Sequence, residues 1–256
     1  MYKIQPNTLF TGKTLKYLSK CHSTNDIAAE MIQSGINVFD GTVIITDNQT
    51  AGRGQRGNVW EAIIGENLTF SLIFKPTFLK ASEQFQLNVA VSLGVFDFLS
   101  EFIDENLSVK WSNDIYCEDK KMGGILIENT LQGYNIGYSV VGIGLNINQM
   151  EFDNLRATSL RKVSQNPLKY DLSEMLSKLL ENLEKNYLRI KNGDYESLKN
   201  RYLTNMYRFQ EYHYFRKDGQ QFTGQIIGID ETGKLGIETE GGVVLYFDFK
   251  EVEFVI

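Results

Sequence analysis

The sequence predicts an α+β domain followed by a small all-β domain. Three observations support this prediction. Helix-like and strand-like segments alternate through residues 21–150, a strongly amphipathic helix follows an irregular stretch, and from about Phe209 onward short strands are separated by glycine-containing turns. We therefore expect a main domain over residues 1–208 and a β-barrel domain over residues 209–256.

Length and charge limit the classes of function. The 256 residues are 42% hydrophobic, which is enough to bury a core, and the net charge of −6 disfavours binding to a polyanion such as DNA. The amino terminus lacks the apolar core of a signal peptide, and no stretch approaches 18 consecutive apolar residues. We expect a cytoplasmic protein that binds neither DNA nor membrane.

The first elements follow from local periodicity. Residues 23–35 predict a helix that begins at Ser23 or Thr24 and ends before Gly35, because Ile27, Ala28, Met31 and Ile32 share one face. The stretch "TVIIT" predicts a short buried strand. The stretch "NLTFSLIFKP" alternates apolar and polar residues up to Pro76, which predicts a half-buried antiparallel strand.

Further elements follow in the same way. Residues 82–104 predict a second helix, and "SVKWSNDIYC", "GGILIENT" and "YNIGYSVVGIGLNIN" predict three strands, the first two joined through the polar turn "EDKK". Apolar residues from Leu172 to Tyr187 recur at spacings of three and four. They predict a helix that packs against the sheet.

The stretch "QTAGRGQRGNVW", residues 49–60, is the first candidate site. Its three glycines permit positive φ angles and a close approach to a ligand, while Arg53 and Arg56 carry fixed charges suited to phosphate. A flexible solvated turn is the alternative interpretation. Trp60, which ends the stretch, is expected to be a core aromatic or a lid.

Two more stretches are candidates. In "VKWSNDIYCEDKKMGGILIE", Lys110, Asn113, Asp114 and Lys121 could meet on one face, and Gly123–Gly124 would leave room for a ligand; a charged hairpin face is the alternative. In "VGIGLNIN", the glycine-rich strand indicates a close neighbour or a β-bulge.

Six motifs in order resemble the biotin protein ligases: "STND" (23–26), "GRGQRGNVW" (52–60), "KWSNDIY" (110–116), "KMGGILIE" (121–128), "GIGLNIN" (142–148) and "ATSL" (157–160). The similarity covers about residues 15–255. It implies a mixed sheet flanked by helices, as in lipoate ligases and class II synthetase cores, with an SH3-like barrel at the C-terminal end. It also implies an ATP-dependent, AMP-forming ligase that makes biotinyl-5′-AMP and transfers biotin to a lysine.

The resemblance implies roles for particular residues. Lys121 and Arg53 would be catalytic, and Asp114 would hold Mg²⁺ that arrives with ATP. The residues expected to bind biotin are Ser23, Thr24, Asn25, Gln49, Gly52, Arg53, Gly54, Gln55, Lys121 and Gly124. The residues expected to bind ATP or the adenylate are Arg53, Gln55, Arg56, Asn58, Trp60, Asn113, Asp114, Lys121 and Asn146.

The resemblance also implies partners. The acceptor would be the biotin carboxyl carrier domain of acetyl-CoA carboxylase or a similar carboxylase, and a homodimer could form through the sheet edge. Some members carry about 60 further residues of DNA-binding domain before the serine-threonine motif. Only 22 residues precede Ser23 here, so we expect no repressor activity.

The sequence departs from the family pattern in the glycine loop. Gln55 and Asn58 stand where arginines are frequent, and Ser112 replaces a common proline. We expect Arg56 or Lys121 to compensate for the lost charge, so that biotinyl-AMP is retained. Two alternative functions are a non-catalytic biotin or nucleotide sensor and a lipoate or octanoyl ligase of the same fold.

Overall fold

The computed structural model describes residues 2–35 and 37–255, apart from the side chain of Arg56. Its first sheet contains β1 (Leu15–Leu18), β2 (Thr42–Thr46), β3 (Leu68–Phe74), β4 (Leu107–Lys110), β5 (Asp114–Cys117), β6 (Lys120–Gln132) and β7 (Asn135–Leu145). The helices are α1 (Thr24–Gln33), α2 (Gln84–Ser100), α3 (Leu160–Val163), α4 (Leu172–Lys191) and α5 (Tyr195–Thr204). The second sheet contains β8 (Tyr212–Lys217), β9 (Gln220–Ile229), β10 (Leu235–Thr239), β11 (Val244–Phe247) and β12 (Glu253–Phe254).

The first sheet is mixed, as the resemblance implied. Its strand order is β1-β2-β3-β7-β6-β5-β4, in which β1 and β2 are parallel and the other neighbours are antiparallel. The second sheet is antiparallel, with the order β11-β10-β9-β8-β12. The prediction of an α+β domain followed by an SH3-like β-domain is confirmed.

Helices cover both faces of the first sheet. One face of the sheet is covered by α2. This helix is buried around most of its circumference, because the sheet lies on one side of it and α4 and α5 pack on its other sides. The helix α4 packs chiefly on α2 and reaches the sheet through Tyr187, whose ring stacks on Phe74 with centroids 4.1 Å apart. On the other face α1 covers Ile44 and Ile73.

This layering corrects one prediction. Strand β3 was expected to be half-buried, but all seven of its residues are buried, since α1 covers the face that carries Thr69 and Ser71. The buried hydroxyl of Ser71 is satisfied there, because it hydrogen-bonds to Thr24 and Asn25 at the start of α1. The antiparallel pairing of β3 is confirmed on both of its edges.

The stretch "SVKWSNDIYC" was expected to be one strand, and this expectation is wrong. It forms β4 and β5, which pair with each other around a turn at Trp111–Asn113. The turn is held from outside: the indole N–H of Trp111 donates to the carbonyl of Gly233 (2.9 Å), and the hydroxyl of Tyr202 donates to the carbonyl of Ser112 (3.1 Å). The turn therefore ties the first sheet to the C-terminal domain and to α5.

Within the described residues, no helix combines the length and the apolarity that a membrane crossing requires.

Candidate functional site

A cleft of about 670 Å³ opens beside the amino end of α1, between β3, β6 and β7. The stretch 49–60 forms one wall of the cleft, and Phe249 from the C-terminal domain contributes to its lining. Most of the predicted site residues line this cleft: Ser23, Thr24, Asn25, Gln49, Arg53, Gly54, Gln55, Asn58, Trp60, Asn113, Asp114, Lys121 and Gly124.

One end of the cleft is a wall of uncharged hydroxyl and amide groups. Ser23 caps α1, so its side chain accepts a hydrogen bond from the backbone N–H of Asp26 (3.3 Å). The next residues of the helix therefore point into the cleft. The Oε1 atom of Gln49 accepts from the backbone N–H of Thr24 (2.8 Å), and Ser71 donates to Oδ1 of Asn25 (2.6 Å). Such a wall suits a small neutral group that both donates and accepts hydrogen bonds.

Two glycines of β7 leave space for side chains of the cleft: Gly142 for Asn25 of the neutral wall, and Gly144 for Trp60 of the glycine loop. A Cβ atom at Gly142 would lie 2.3 Å from Oδ1 of Asn25, and a Cβ atom at Gly144 would lie 2.3 Å from the indole of Trp60. Strand pairing runs through both positions without a register shift. The expected close neighbour is therefore present as these two side chains, and the β-bulge alternative is wrong.

The glycine loop has a defined conformation. Arg53 bridges to Val59 across it, the N–H of Gly54 donates to the carbonyl of Asn58 (2.7 Å), and Gln55–Gly57 form a 3-10 turn. Of the three glycines that permit a positive φ, Gly57 adopts one, of 85°, and Gly52 and Gly54 do not. Gly52 lies behind the loop, where a Cβ would lie 2.3 Å from the carbonyl oxygen of Trp60.

Carboxylates hold the guanidinium of Arg53. Its Nη2 atom donates to Asp26 (2.6 Å) and to Oε2 of Glu128 (3.0 Å), and its Nη1 atom donates to Oε1 of Glu128 (3.0 Å). These contacts, first of all the hydrogen bonds that Arg53 donates to Glu128, raise the pKa of Arg53 above its usual value. Without ligand, the charge of Arg53 is therefore already paired.

The second fixed charge of the cleft is Lys121 on β6. Its Nζ atom lies 2.7 Å from Oδ1 of Asp114 on the neighbouring strand β5. Gly124 leaves room for the pair, since a Cβ there would lie 3.2 Å from Nζ. The backbone of Lys121 is fixed by the motif "ATSL": its carbonyl accepts from the N–H of Thr158 (2.9 Å).

Two buried polar atoms beside the cleft have no hydrogen-bond partner among the described residues: Oε1 of Gln55 and Nε1 of Trp60. Buried polar groups are nearly always paired in folded proteins. One acceptor and one donor of the loop are thus available to a ligand.

Of the predicted site residues that the structure describes in full, two are not in the lining of this cleft. Gly52 supports the loop from behind. Asn146 is buried, donates to the carbonyl of Thr158 (3.0 Å) and lines an adjoining cleft that shares Trp60 and Lys121 with the first. The side chain of Arg56 lies outside the described residues.

Of the four residues expected to meet on one face, Asn113, Asp114 and Lys121 line the cleft, and Lys110 does not. Asn113 is buried at the turn between β4 and β5, where its side chain donates to the carbonyl of Ile125. Lys110 donates to the hydroxyl of Tyr116 (3.1 Å) and lies over the rings of Tyr116 and Phe254. Burial lowers the pKa of Lys110 to about 8.

Sequence reasoning missed several residues of the cleft or its rim, among them Asp26, Ser71, Glu128 and Phe249. Asp26 and Glu128 lie within motifs that were recognised, "STND" and "KMGGILIE", yet nothing in the local spacing assigns them a partner. Ser71 lies on the face of β3 that was taken as exposed.

Comparison with known protein families gives two matches. The Biotin/lipoate A/B protein ligase family matches residues 19–146, and the Biotin protein ligase C terminal domain matches residues 215–255. The first match contains the motifs that carry the cleft. The second covers most of the C-terminal sheet.

Individual proteins are similar over almost the whole chain. The bifunctional ligase/repressor BirA of Bacillus subtilis is 30% identical over 237 residues, which are 91% of this chain and 71% of that protein. The biotin–[acetyl-CoA-carboxylase] ligase of Mycobacterium tuberculosis is 26% identical, over 91% of this chain and 86% of that protein. The structure of the Aquifex aeolicus biotin protein ligase in complex with biotin and ATP superposes with a TM-score of 0.77, at 29% identity, over 95% of this chain and 100% of that chain.

Proposed function

Because the chain belongs to the biotin protein ligase family, we propose that it activates biotin with ATP and transfers the biotinyl group to a lysine of a biotin carboxyl carrier domain. The chain is thus a ligase. The observation that carries the finer proposal is the cleft itself, in which a neutral amide and hydroxyl wall leads to the Lys121–Asp114 pair. The acceptor we propose is the carrier domain of acetyl-CoA carboxylase or of a related carboxylase.

We assign the neutral wall to the ureido ring of biotin. A urea carries two N–H donors and one carbonyl acceptor and no charge, so it matches hydroxyl and amide partners better than ions. Thr24, Asn25 and Gln49 present such groups. The loop residues Gly54 and Gln55 would lie over the bound vitamin, with its carboxylate towards Lys121.

In the first step, a carboxylate oxygen of biotin attacks the α-phosphorus of ATP and pyrophosphate leaves, which gives biotinyl-5′-AMP. Two anions must approach each other, and negative charge develops on the non-bridging phosphate oxygens. A cation that is already in place lowers this barrier without reorganisation. Lys121 is held in that position by Asp114 on one side and by the backbone contacts of Thr158 and Arg156 on the other.

We propose that Mg²⁺ accompanies ATP as part of the substrate. The described residues contain no cluster of three or more His, Cys, Asp or Glu side chains that could hold a metal ion. Mg²⁺ that accompanies nucleotides is usually bound through one or two carboxylates and the phosphates. Asp114 would supply such a carboxylate, and the ion would neutralise part of the phosphate charge.

In the second step, the amine of the acceptor lysine attacks the acyl carbon of biotinyl-AMP, AMP leaves, and the amine loses a proton. This step needs no covalent enzyme intermediate. The nucleotide would lie towards the adjoining cleft, between Trp60 and Asn146, where the unpartnered N–H of Trp60 is available as a donor.

The test is incubation of the purified protein with ATP, Mg²⁺, biotin and a biotin carboxyl carrier domain. We expect the carrier to gain the mass of one biotinyl group, and to gain none when ATP is omitted. Tight binding of biotin without any modified carrier would favour a sensor. Modification by lipoate in preference to biotin would favour a lipoate ligase.

A further inference from the structure

One carboxylate, Glu128 on β6, contacts both walls of the cleft. Its Oε2 atom accepts hydrogen bonds from Nδ2 of Asn25 (2.7 Å) and from Nη2 of Arg53 (3.0 Å), and its Oε1 atom accepts from Nη1 of Arg53 (3.0 Å). Asn25 belongs to the neutral wall, and Arg53 belongs to the glycine loop. The two walls are thus joined through a single side chain.

The first arm fixes the orientation of an amide. Ser71 donates to Oδ1 of Asn25 (2.6 Å), and Glu128 accepts from Nδ2 of the same amide. A carboxylate only accepts hydrogen bonds, so it requires the N–H₂ group of Asn25 to face β6 and the oxygen to face β3. The carbonyl of Leu126 also accepts from Nδ2 of Asn25, at 3.4 Å, so Glu128, at 2.7 Å, is the closer of two acceptors that fix the donors and acceptors of the neutral wall.

The second arm fixes the loop. The contact between Glu128 and Arg53 is bidentate, with two parallel N–H···O bonds, which is the most directional pairing available to a guanidinium. Asp26 adds a third bond to Arg53 but makes no hydrogen bond to Asn25 among the described residues. Glu128 is the carboxylate that serves both arms.

We propose that Glu128 is a positioning residue for biotin activation: it orients the Asn25 amide for the vitamin and holds Arg53, and with it the glycine loop, beside the reacting groups. The proposal rests on the ligase function given above. Glu128 acts through Asn25 and Arg53, and it is separated from the Lys121–Asp114 pair.

The two arms can be separated by substitution. Glu128→Ala removes both arms. Glu128→Gln keeps one oxygen, which can accept from Asn25 and one Arg53 nitrogen, but its N–H₂ group then meets the other guanidinium nitrogen, donor against donor. The glutamine variant should therefore preserve the first arm and disrupt the second. Glu174→Gln, at an exposed ion pair on α4, is the matched control for the loss of a glutamate charge.

The experiment measures biotin affinity by calorimetry, and kcat and KM for pyrophosphate release, in wild type and the three variants. For Glu128→Ala we expect biotin Kd to rise at least tenfold and kcat to fall at least tenfold. For Glu128→Gln we expect Kd to stay within threefold of wild type while kcat falls at least tenfold. Glu174→Gln should match wild type in both.

The inference is overturned if Glu128→Gln leaves kcat unchanged, or if its kcat equals that of wild type once it is divided by the binding-competent fraction given by the calorimetric stoichiometry. Should the alanine variant fail to fold, the split between Kd and kcat in the glutamine variant decides the question alone. A wild-type protein that does not bind biotin at all would refute the proposed function instead.

Discussion

Replacement of Lys121 by methionine tests the electrostatic core of the proposed mechanism. Methionine keeps most of the apolar stem, which lies against Gly124, and removes the charge. A unit charge about 4 Å from a phosphate oxygen contributes ~4 kcal/mol at an effective dielectric constant of about 20. The side chain of Lys121 is 35% exposed, so solvent screens part of this attraction.

We therefore expect a loss of about 3 kcal/mol in transition-state stabilisation, which corresponds to a fall of roughly 10²–10³-fold in kcat/KM for adenylate formation. The assay is release of pyrophosphate at saturating ATP with biotin varied, supported by thermal denaturation to establish that the variant is folded. Lys178→Met, which removes an ion-paired lysine from the surface of α4, is the control and should behave as wild type.

Activity of Lys121→Met within threefold of wild type would refute the assignment of the developing phosphate charge to this lysine. A second variant refines the reasoning. In Lys121→Met, Asp114 loses its ion-pair partner, so the substitution also changes the surroundings of the carboxylate proposed to hold Mg²⁺. If Asp114→Asn alone is as active as wild type, the proposed metal role of Asp114 is wrong.

Two further predictions concern packing at the cleft and the buried lysine. Gly142→Ala should weaken biotin binding at least tenfold in calorimetry, because the new Cβ would lie 2.3 Å from Oδ1 of Asn25. Gly241→Ala, whose nearest neighbour is 3.9 Å away, is the control, and equal affinities would contradict the packing argument. Lys110→Met should raise the free energy of unfolding in urea at pH 7 by up to ~3 kcal/mol, because burial lowers the folded-state pKa of Lys110 from 10.5 to about 8. Between about pH 8 and pH 10.5 the unfolded chain keeps the proton of Lys110 while the folded chain has lost it, so the stability of the wild type rises with pH. The extra stability of Lys110→Met should therefore vanish over that range. If the difference in unfolding free energy between the two proteins is the same at pH 7 and pH 11, the pKa shift of Lys110 is not its cause.

Local periodicity predicted those helices and strands in which buried and exposed positions recur at a regular spacing along the chain. The helices α1, α2 and α4 and the strands β2 and β3 follow from apolar spacing and capping residues. The turn at Trp111–Asn113 could not be found in this way. The surrounding residues read as a continuous strand, and the break is stabilised by a hydrogen bond from Trp111 to Gly233, a residue 122 positions away.

The site shows the same division. The motifs contain most of the residues that line the cleft, but their spacing does not predict which charged side chains form ion pairs with each other. Arg53 was expected to offer a charge to phosphate, whereas its partners Asp26 and Glu128 lie 27 and 75 positions away in sequence. Helix α5 was missed because only Leu198 and Tyr202 are buried in it, which leaves a weak periodic signal.

Phe249 gives the cleft a border that belongs to the C-terminal domain, and Trp111 fastens the same domain to the turn before β5. A molecule that fills the cleft would therefore touch both folding units at once. Its binding free energy would add to their mutual attachment, so that saturation with substrate should raise the temperature at which the protein unfolds.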